Sequence, residues 1–388
     1  MTAPALNFRL LLVIVTTALL HADFALAEEP QTWRLMFERD EPRIFDRFPE
    51  VVDEEIKVSG GWYTMFSSTT VWQHASESQT DLDNLLNTFV RFSGGWAVTD
   101  TANLAWWVQG GRPVGESRDA NLSEAIGSEL DINGGLISTA FDIQELYWAQ
   151  KIGEKFRFSF GMIDTTWRYD ASNVANSDTE AFLSASLTNS PAIPFPDRSL
   201  GLDFLWTAND MLAVHAGWYQ TSCQEGDSFC IKELESDEWL LPVEIIAKPS
   251  LFNLEEGIYK VLFFESKSGD DSGNGWSVNI EQPLGPVIGF ARASLSDKDI
   301  ADIHKFLSFG IAIDGVANRN WDRIGIGYAR GTPSDADLRT ETIIETYWRF
   351  QLNPFVAITP DVQLVIDPAD NPDENKVWVV GARLQLDF

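Results

Sequence analysis

The chain has 388 residues, of which 44% are hydrophobic and 15 are tryptophan, and its formal net charge at pH 7 is -30. This acidic surplus repels the phosphate backbones of DNA and RNA, so the composition excludes a nucleic-acid partner. An exported soluble β protein and a membrane β-barrel are both consistent with a composition this rich in large apolar side chains.

Residues 1–27 have the features of a secretory signal peptide. Arg9 precedes the apolar run LLLVIVTTALL, and Ala25, Leu26 and Ala27 form the small-x-small pattern of a cleavage site. The apolar run is too short for an anchoring helix, because a helix that crosses the hydrocarbon core needs about 20 apolar residues. We therefore expect export across the inner membrane and cleavage after residue 27.

The next segment, residues 28–55, is highly charged and shows no strand pattern. We expect it to be a periplasmic N-terminal segment. From residue 56 onward, apolar and polar residues alternate in blocks of about ten, separated by turn-forming stretches, which is typical of membrane barrel strands. The predicted organisation is therefore a signal peptide, a periplasmic segment and a transmembrane barrel over residues 56–388.

The alternation predicts sixteen strands. They cover residues 56–66, 87–98, 103–112, 140–150, 155–163, 198–207, 211–220, 239–247, 256–265, 275–281, 286–294, 304–314, 321–330, 341–352, 355–366 and 377–388. Short and long connections alternate, as they do between the periplasmic turns and extracellular loops of such barrels. The predicted fold class is therefore all-β, a transmembrane antiparallel up-and-down barrel of about 16 strands with long extracellular loops. A soluble β-sandwich would show the same alternation, but Trp96, Trp206 and Trp218 lie near strand ends, where membrane barrels carry aromatic girdles.

The last strand shows how the two faces of the sheet divide. Trp378 and Val380 share one face, whereas Arg383 and Gln385 share the other. An arginine on the lipid face at the membrane midplane would cost about 2–4 kcal/mol, so the polar face is expected to point inward. A barrel of this size can hold a water-filled channel. The long segment 164–197 is expected to be able to fold into the barrel and narrow it.

No catalytic signature is present, since the HExxH, GxSxG and CxxC patterns are all missing from the sequence. We expect no enzyme activity, no cofactor and no metal centre. The acidic runs at 53–55, 269–275 and 367–374 are interpreted as solvated loops, with divalent cation binding as the alternative.

Cys223 and Cys230 lie in a short polar segment of an exported chain, which favours a disulfide between them over two free thiols.

Charged and aromatic residues on the inward face are candidates for solute binding, because sugars are bound by hydrogen bonds to hydroxyls and by stacking on aromatic rings. The candidates are Arg91, Trp107, Glu145, Tyr147, Arg157, Asp203, Arg349 and Arg383. The alternative is that each of them only solvates the lumen and pairs with a neighbouring strand.

Several segments, in order along the chain, resemble the carbohydrate-selective porins of bacterial outer membranes, the OprB family. They are IQELYWAQKIGEKFRFSFGMIDTTWRYD, NSPAIPFPDRSLGLDFLWTANDMLAVHAGWYQ, IGIGYARGTP, ETIIETYWRFQLNPFVAITPDVQLVIDPADNP and VWVVGARLQLDF. The resemblance implies a 16-stranded porin that passes monosaccharides by facilitated diffusion, with Glu145, Tyr147 and Arg157 on strands near the constriction. A general-diffusion porin for small hydrophilic solutes is the alternative.

The same resemblance implies the partners of the protein. They are small carbohydrates, the lipid and lipopolysaccharide of the outer membrane, and the machinery that inserts barrels into that membrane. Both a monomer and a homotrimer are consistent with the sequence.

Overall fold

The computed structural model describes residues 62–387, except 100, 118, 135–140, 197, 223–237, 251–253, 320 and 354. The predicted signal peptide, the segment 28–55 and both cysteines lie outside the described residues, so the cleavage and the disulfide stay predictions. No helix in the described part of the chain has the length and apolarity needed to cross a membrane.

Sixteen strands are formed by the described residues. They are β1 (Trp62–Ala75), β2 (Asn84–Thr99), β3 (Ala102–Pro113), β4 (Asp142–Ile152), β5 (Phe156–Ile163), β6 (Ser199–Asn209), β7 (Leu212–Gln220), β8 (Glu238–Ala247), β9 (Ile258–Ser268), β10 (Asp271–Leu284), β11 (Val287–Ser296), β12 (Ile303–Asp314), β13 (Arg323–Pro333), β14 (Glu341–Asn353), β15 (Val356–Ile366) and β16 (Lys376–Asp387). Each strand pairs with its neighbours in the chain, and β1 pairs antiparallel with β16 to close the barrel. The predicted fold class is confirmed.

The prediction placed the first hairpin wrongly. Residues 67–75 were expected in a loop, but β1 continues to Ala75 and its partner β2 begins at Asn84. The outward face of this part of β1 carries Ser68 and Thr70, and Thr70 Oγ1 lies 3.0 Å from Thr88 Oγ1 of β2. Hydroxyl side chains on the outward face weaken the apolar alternation from which strands are predicted.

Inward and outward faces divide as the alternation predicts. Trp378 and Val380 of β16 are exposed on the outside of the barrel, whereas the Arg383 side chain is buried inside it. Apolar side chains on the outer face of other strands, such as Phe92, Phe160 and Phe204, are exposed as well. The barrel therefore presents an apolar belt on its outer surface.

Two segments between strands fold into the lumen. The first, residues 114–134 without 118, contains the helix α1 (Leu122–Ile126). The second, residues 164–198 without 197, contains a 3₁₀ turn (Thr165–Trp167) and the helix α2 (Ala185–Thr188). We call them the first and the second inward segment. The expectation that the long connection at 164–197 can narrow the barrel is confirmed.

The inward segments bury a large apolar core against the barrel wall, and a smaller apolar cluster lies against β3–β5 and β7–β9. Phe182 of the second segment packs edge-on against Tyr347 of β14, with ring centroids 5.0 Å apart, and against Phe290 of β11 at 5.6 Å. The same core contains apolar residues of both inward segments and of the strands that they cover. The prediction of a polar interior is therefore wrong where the inward segments cover the wall, because apolar side chains point inward there.

Replacing Phe182 with alanine is expected to lower the free energy of unfolding by roughly 3–5 kcal/mol, because the deletion leaves a cavity inside a closed core. Urea-induced unfolding of the protein in lipid vesicles measures this change.

Phe156→Ala is the matched control, because this side chain lies on the lipid face and is half exposed. Lipid chains fill the space that it leaves, so a smaller loss is expected. An equal or smaller loss for Phe182→Ala would contradict the presence of a packed core inside the barrel.

Candidate functional site

Carboxylates of the barrel wall bind the backbone of the second inward segment. Glu345 of β14 accepts hydrogen bonds from the N–H groups of Leu183 at 2.5 Å and of Ser184 at 2.9 Å. Glu281 of β10 accepts the N–H of Asn173 at 2.8 Å, together with side-chain donors of Ser172 and Asn173. Backbone N–H groups inside a folded protein need such partners, and these glutamates supply them across the lumen.

Basic side chains of the wall bind the carbonyl groups of the same segment. Arg292 of β11 donates to the carbonyls of Asp170 at 3.1 Å and Ala175 at 2.9 Å, and its Nε lies 2.9 Å from the Asp170 carboxylate. Arg383 of β16 donates to the carbonyls of Asp178 at 2.6 Å and Ala181 at 2.9 Å. These buried charges are compensated by hydrogen bonds to the segment, which fix its path across the barrel.

A further ionic contact holds the base of the second inward segment. Arg168 lies 3.3 Å from the Asp203 carboxylate of β6, and its guanidinium group stacks 4.5 Å from the Tyr147 ring centroid of β4. Tyr219 donates its hydroxyl to Asp203 at 3.2 Å. His215 stacks on Tyr169 at 4.3 Å, so this inward histidine is part of the same support.

A cavity of about 800 Å³ remains between the second inward segment and the strands β2, β3 and β4. The wall contributes Arg91, Trp107 and Gln109, and the segment contributes Trp167 and Asp178. We call it the inner cavity. Leu130 of the first inward segment also lines it, and the same side chain belongs to the apolar core.

Aromatic and charged groups face each other across the inner cavity. The rings of Trp107 and Trp167 are 6.4 Å apart at an interplanar angle of 59°. Arg91 lies 4.8 Å from the Trp107 ring centroid, pairs with the Asp178 carboxylate at 3.3 Å and donates to Gln109 at 3.1 Å. Trp107 is buried beneath Arg91, whereas Trp167 is partly exposed. The set thus offers an aromatic face beside hydrogen-bond donors and acceptors, which is the chemistry that binds a hydroxylated ring.

The structure brings only two of the eight predicted site residues, Arg91 and Trp107, to the inner cavity. Glu145 accepts the Asp164 N–H at 3.3 Å, where the second inward segment begins. Tyr147, Arg157 and Asp203 are buried near that base, and Arg383 is buried under the middle of the segment. Arg349 donates to Gln351 and to Gln385, close to the short turn after β14.

Of the lining residues named above, three were missed by sequence reasoning: Gln109, Trp167 and Asp178. Gln109 follows Trp107 at the spacing of one strand face, so the same alternation that selected Trp107 could have selected it. Asp178 lies outside any strand, where the alternation carries no information about orientation. Its carboxylate reaches Arg91 only because the segment folds back into the barrel.

In the described part of the chain, no three His, Cys, Asp or Glu side chains are grouped as metal ligands. In the run 367–374, the backbone carbonyls of Pro368 and Glu374 accept hydrogen bonds from Arg339. These backbone carbonyls are thus engaged by a cationic side chain of the protein itself.

Comparison with protein families gives a match to the carbohydrate-selective porins of the OprB family over residues 266–388. Porin AaxA of Chlamydia abortus is 24% identical over 275 residues, which cover 68% of this chain and 61% of that protein. Porin AaxA of Chlamydia felis is 24% identical over 336 residues, which cover 83% of this chain and 70% of that protein. The match to the first of these relatives thus spans about three fifths of its length.

Among solved structures, OprB of Pseudomonas putida at high pH superposes with a TM-score of 0.72 at 16% identity, covering 85% of this chain and 95% of that one. An anion-selective porin from Comamonas acidovorans superposes with a TM-score of 0.54 at 10% identity, covering 84% of this chain and 100% of that one. These likenesses show that the fold is that of a porin barrel. The resemblance to the OprB family is confirmed by the family match together with this fold.

Replacing Arg292 with methionine is expected to release the second inward segment, because Asp170 would keep a buried charge without its partner. Breaking a buried pair in this way costs about 3–5 kcal/mol. Single-channel recording in planar bilayers should show a higher and noisier conductance, measured in 1 M salt to screen the effect of the lost charge.

Arg112→Met is the control for this variant, because Arg112 is exposed at the end of β3. Its conductance should equal that of the wild type. A wild-type conductance for Arg292→Met, in protein that is folded, would contradict the role of Arg292 in holding the constriction.

Proposed function

We propose that this chain, whose residues 266–388 match the carbohydrate-selective porin family and whose barrel has the fold of a porin, passes small sugars across the outer membrane by passive diffusion. Porins of this fold are channels of bacterial outer membranes rather than enzymes. The observation that supports sugar selectivity best is the inner cavity, where two tryptophan rings stand beside an arginine and a carboxylate.

In the proposed mechanism a sugar ring enters the inner cavity and stacks on Trp167, or on Trp107 by displacing the Arg91 guanidinium from its ring. Its hydroxyl groups then exchange hydrogen bonds with Arg91, Asp178 and Gln109 in place of water. Binding must stay weak for transport, because a solute that is held tightly blocks the passage. A millimolar site needs only about 4 kcal/mol, which one stacking face and a few hydrogen bonds can supply.

The remaining predicted site residues are proposed to act through the second inward segment. Tyr147 and Asp203 contact Arg168, and Arg383 binds the carbonyls of Asp178 and Ala181. These side chains position the wall of the inner cavity, and Arg157 and Glu145 lie beside them at the base of the segment. Arg349, near the short turn after β14, is proposed to line the exit of the passage.

The proposal extends to processing and surroundings. We propose that residues 1–27 are removed on export, that the apolar belt contacts outer-membrane lipid and lipopolysaccharide, and that the insertion machinery assembles the barrel. A monomer and a homotrimer both serve the mechanism, because one barrel encloses a complete inner cavity. A disulfide between Cys223 and Cys230 would close the external connection between β7 and β8.

Sugar selectivity is tested by liposome swelling with a panel of neutral sugars of equal mass that differ only in stereochemistry. Different rates are expected, since fixed hydrogen-bonding groups distinguish the directions of hydroxyls. Equal rates for all stereoisomers would favour a general-diffusion porin and overturn the selective mechanism.

Replacing Trp107 with alanine is expected to weaken the block of ion current by sugar roughly fivefold, because one aromatic contact contributes about 1 kcal/mol. Titration of single-channel current with sugar measures the change.

Trp206→Ala, on the outer face, is the control and should leave the block unchanged, since Trp206 is exposed outside the barrel. If both variants bound sugar as the wild type does, the stacking role of Trp107 would be ruled out.

A further inference from the structure

A second cavity of about 710 Å³ lies on the side of the long loops, above the inner cavity. We call it the outer cavity. Six carboxylates line it, and they belong to Glu129, Glu238, Asp271, Asp299, Asp302 and Asp335. Lys298 is the one basic side chain among its described lining residues, and it donates to the carbonyl of Ser334 at 3.1 Å.

The two cavities meet at a throat. Five residues line both of them: Glu129, Pro191, Ile193, Phe195 and Asp302. A solute that moves from the outer to the inner cavity therefore passes two carboxylates and three apolar side chains. No basic residue is among these five.

Hydrogen bonds tie the backbone of both throat carboxylate residues to neighbouring parts of the chain. The backbone N–H of Glu129 donates to the Glu341 carboxylate at 3.0 Å, and Glu341 also accepts the Ser128 hydroxyl at 2.5 Å. The carbonyl of Asp302 accepts the N–H of Ser334 at 2.7 Å. Both side chains thus project from a backbone that is tied to neighbouring elements.

The basic side chains of the inner cavity do not offset this negative charge. Arg91 pairs with Asp178, and Arg198 pairs with Asp142, so each arginine is already matched by a carboxylate. The electrostatic field at the throat is therefore negative. Desolvation, together with the nearby carboxylates of Asp302, Asp370 and Glu124, raises the pKa of Glu129 in accordance with such a field.

Apolar side chains strengthen the field that a permeating ion meets. A cleft lined by one sign of charge, with walls of low dielectric constant, concentrates ions of the opposite sign. Pro191, Ile193 and Phe195 line the throat together with the two carboxylates and supply such an apolar wall. The field reaches about 10 Å at 0.1 M salt, so it acts across the throat but not far beyond it.

We infer that the throat selects cationic over anionic solutes, and that Glu129 and Asp302 determine this selectivity. The extension to sugars rests on the proposed function: an amine-bearing sugar passes faster than a neutral one, and a carboxylate-bearing sugar passes more slowly. The throat thus adds a charge filter above the inner cavity, which acts on rings and hydroxyls.

The inference is tested by the reversal potential of the channel in planar bilayers under a KCl gradient at low salt. The wild type is expected to favour K⁺ over Cl⁻. A carboxylate about 4 Å from a monovalent ion contributes about 1 kcal/mol in water, so Glu129→Gln with Asp302→Asn should lower the K⁺/Cl⁻ permeability ratio by roughly fivefold or more.

Glu154→Gln with Asp210→Asn is the matched control, because it makes the same two replacements in exposed short turns away from the throat. This control should keep the wild-type ratio. A wild type without K⁺ preference would overturn the inference, as would an equal fall of the ratio in both double variants.

Liposome swelling with glucosamine, glucose and glucuronate separates this inference from the proposed function. The expected order of rates is glucosamine, then glucose, then glucuronate. If glucose enters but the charged sugars do not differ, the charge filter fails and the sugar porin stands. If no sugar enters while K⁺ is still preferred, the proposed function fails and the ionic selectivity stands.

Discussion

The structure depends on one constraint, that a chain segment inside a barrel must find hydrogen-bond partners for its backbone. The second inward segment crosses a space enclosed by sixteen strands whose own N–H and C=O groups are paired with each other. Its partners are therefore side chains of the wall, with Glu281 and Glu345 accepting its N–H groups and Arg292 donating to its carbonyls. This explains why charged residues that face the lumen are nevertheless buried.

The same constraint divides the lumen into two sides. Where the inward segments meet β11–β16, they leave an apolar core that contains Phe182 and Tyr347, and no passage runs through such packing. Where the second segment faces β2–β4, polar and aromatic groups surround the inner cavity instead. The division turns a wide barrel into a narrow passage with a defined lining, and the acidic throat lies directly above it.

Much of the barrel could be predicted from the sequence, because alternation encodes which face of a strand meets lipid. It gave the inward direction of Arg383 and Gln385 correctly, but the partner of Arg383 lies in a segment distant in sequence. The start of β16 also indicates that the lumen is filled there, since Val377 and Val379 are apolar on the inward face as well. A strand that is apolar on both faces is typically covered on both sides. The site itself could be predicted only in part, because Trp107 lies on a strand whereas Asp178 takes its place through the folding of a long connection.

The most direct measurement of the divided lumen is cysteine labelling, in a background without Cys223 and Cys230, with a small water-soluble thiol reagent. Gln109→Cys lies on the inner cavity, whereas Ala329→Cys replaces a buried residue of the apolar core. Fast labelling at position 109 and protection at position 329, in folded protein in vesicles, is the expected result. Equal labelling at the two positions would show that water fills the whole barrel, and it would contradict a passage confined to the β2–β4 side.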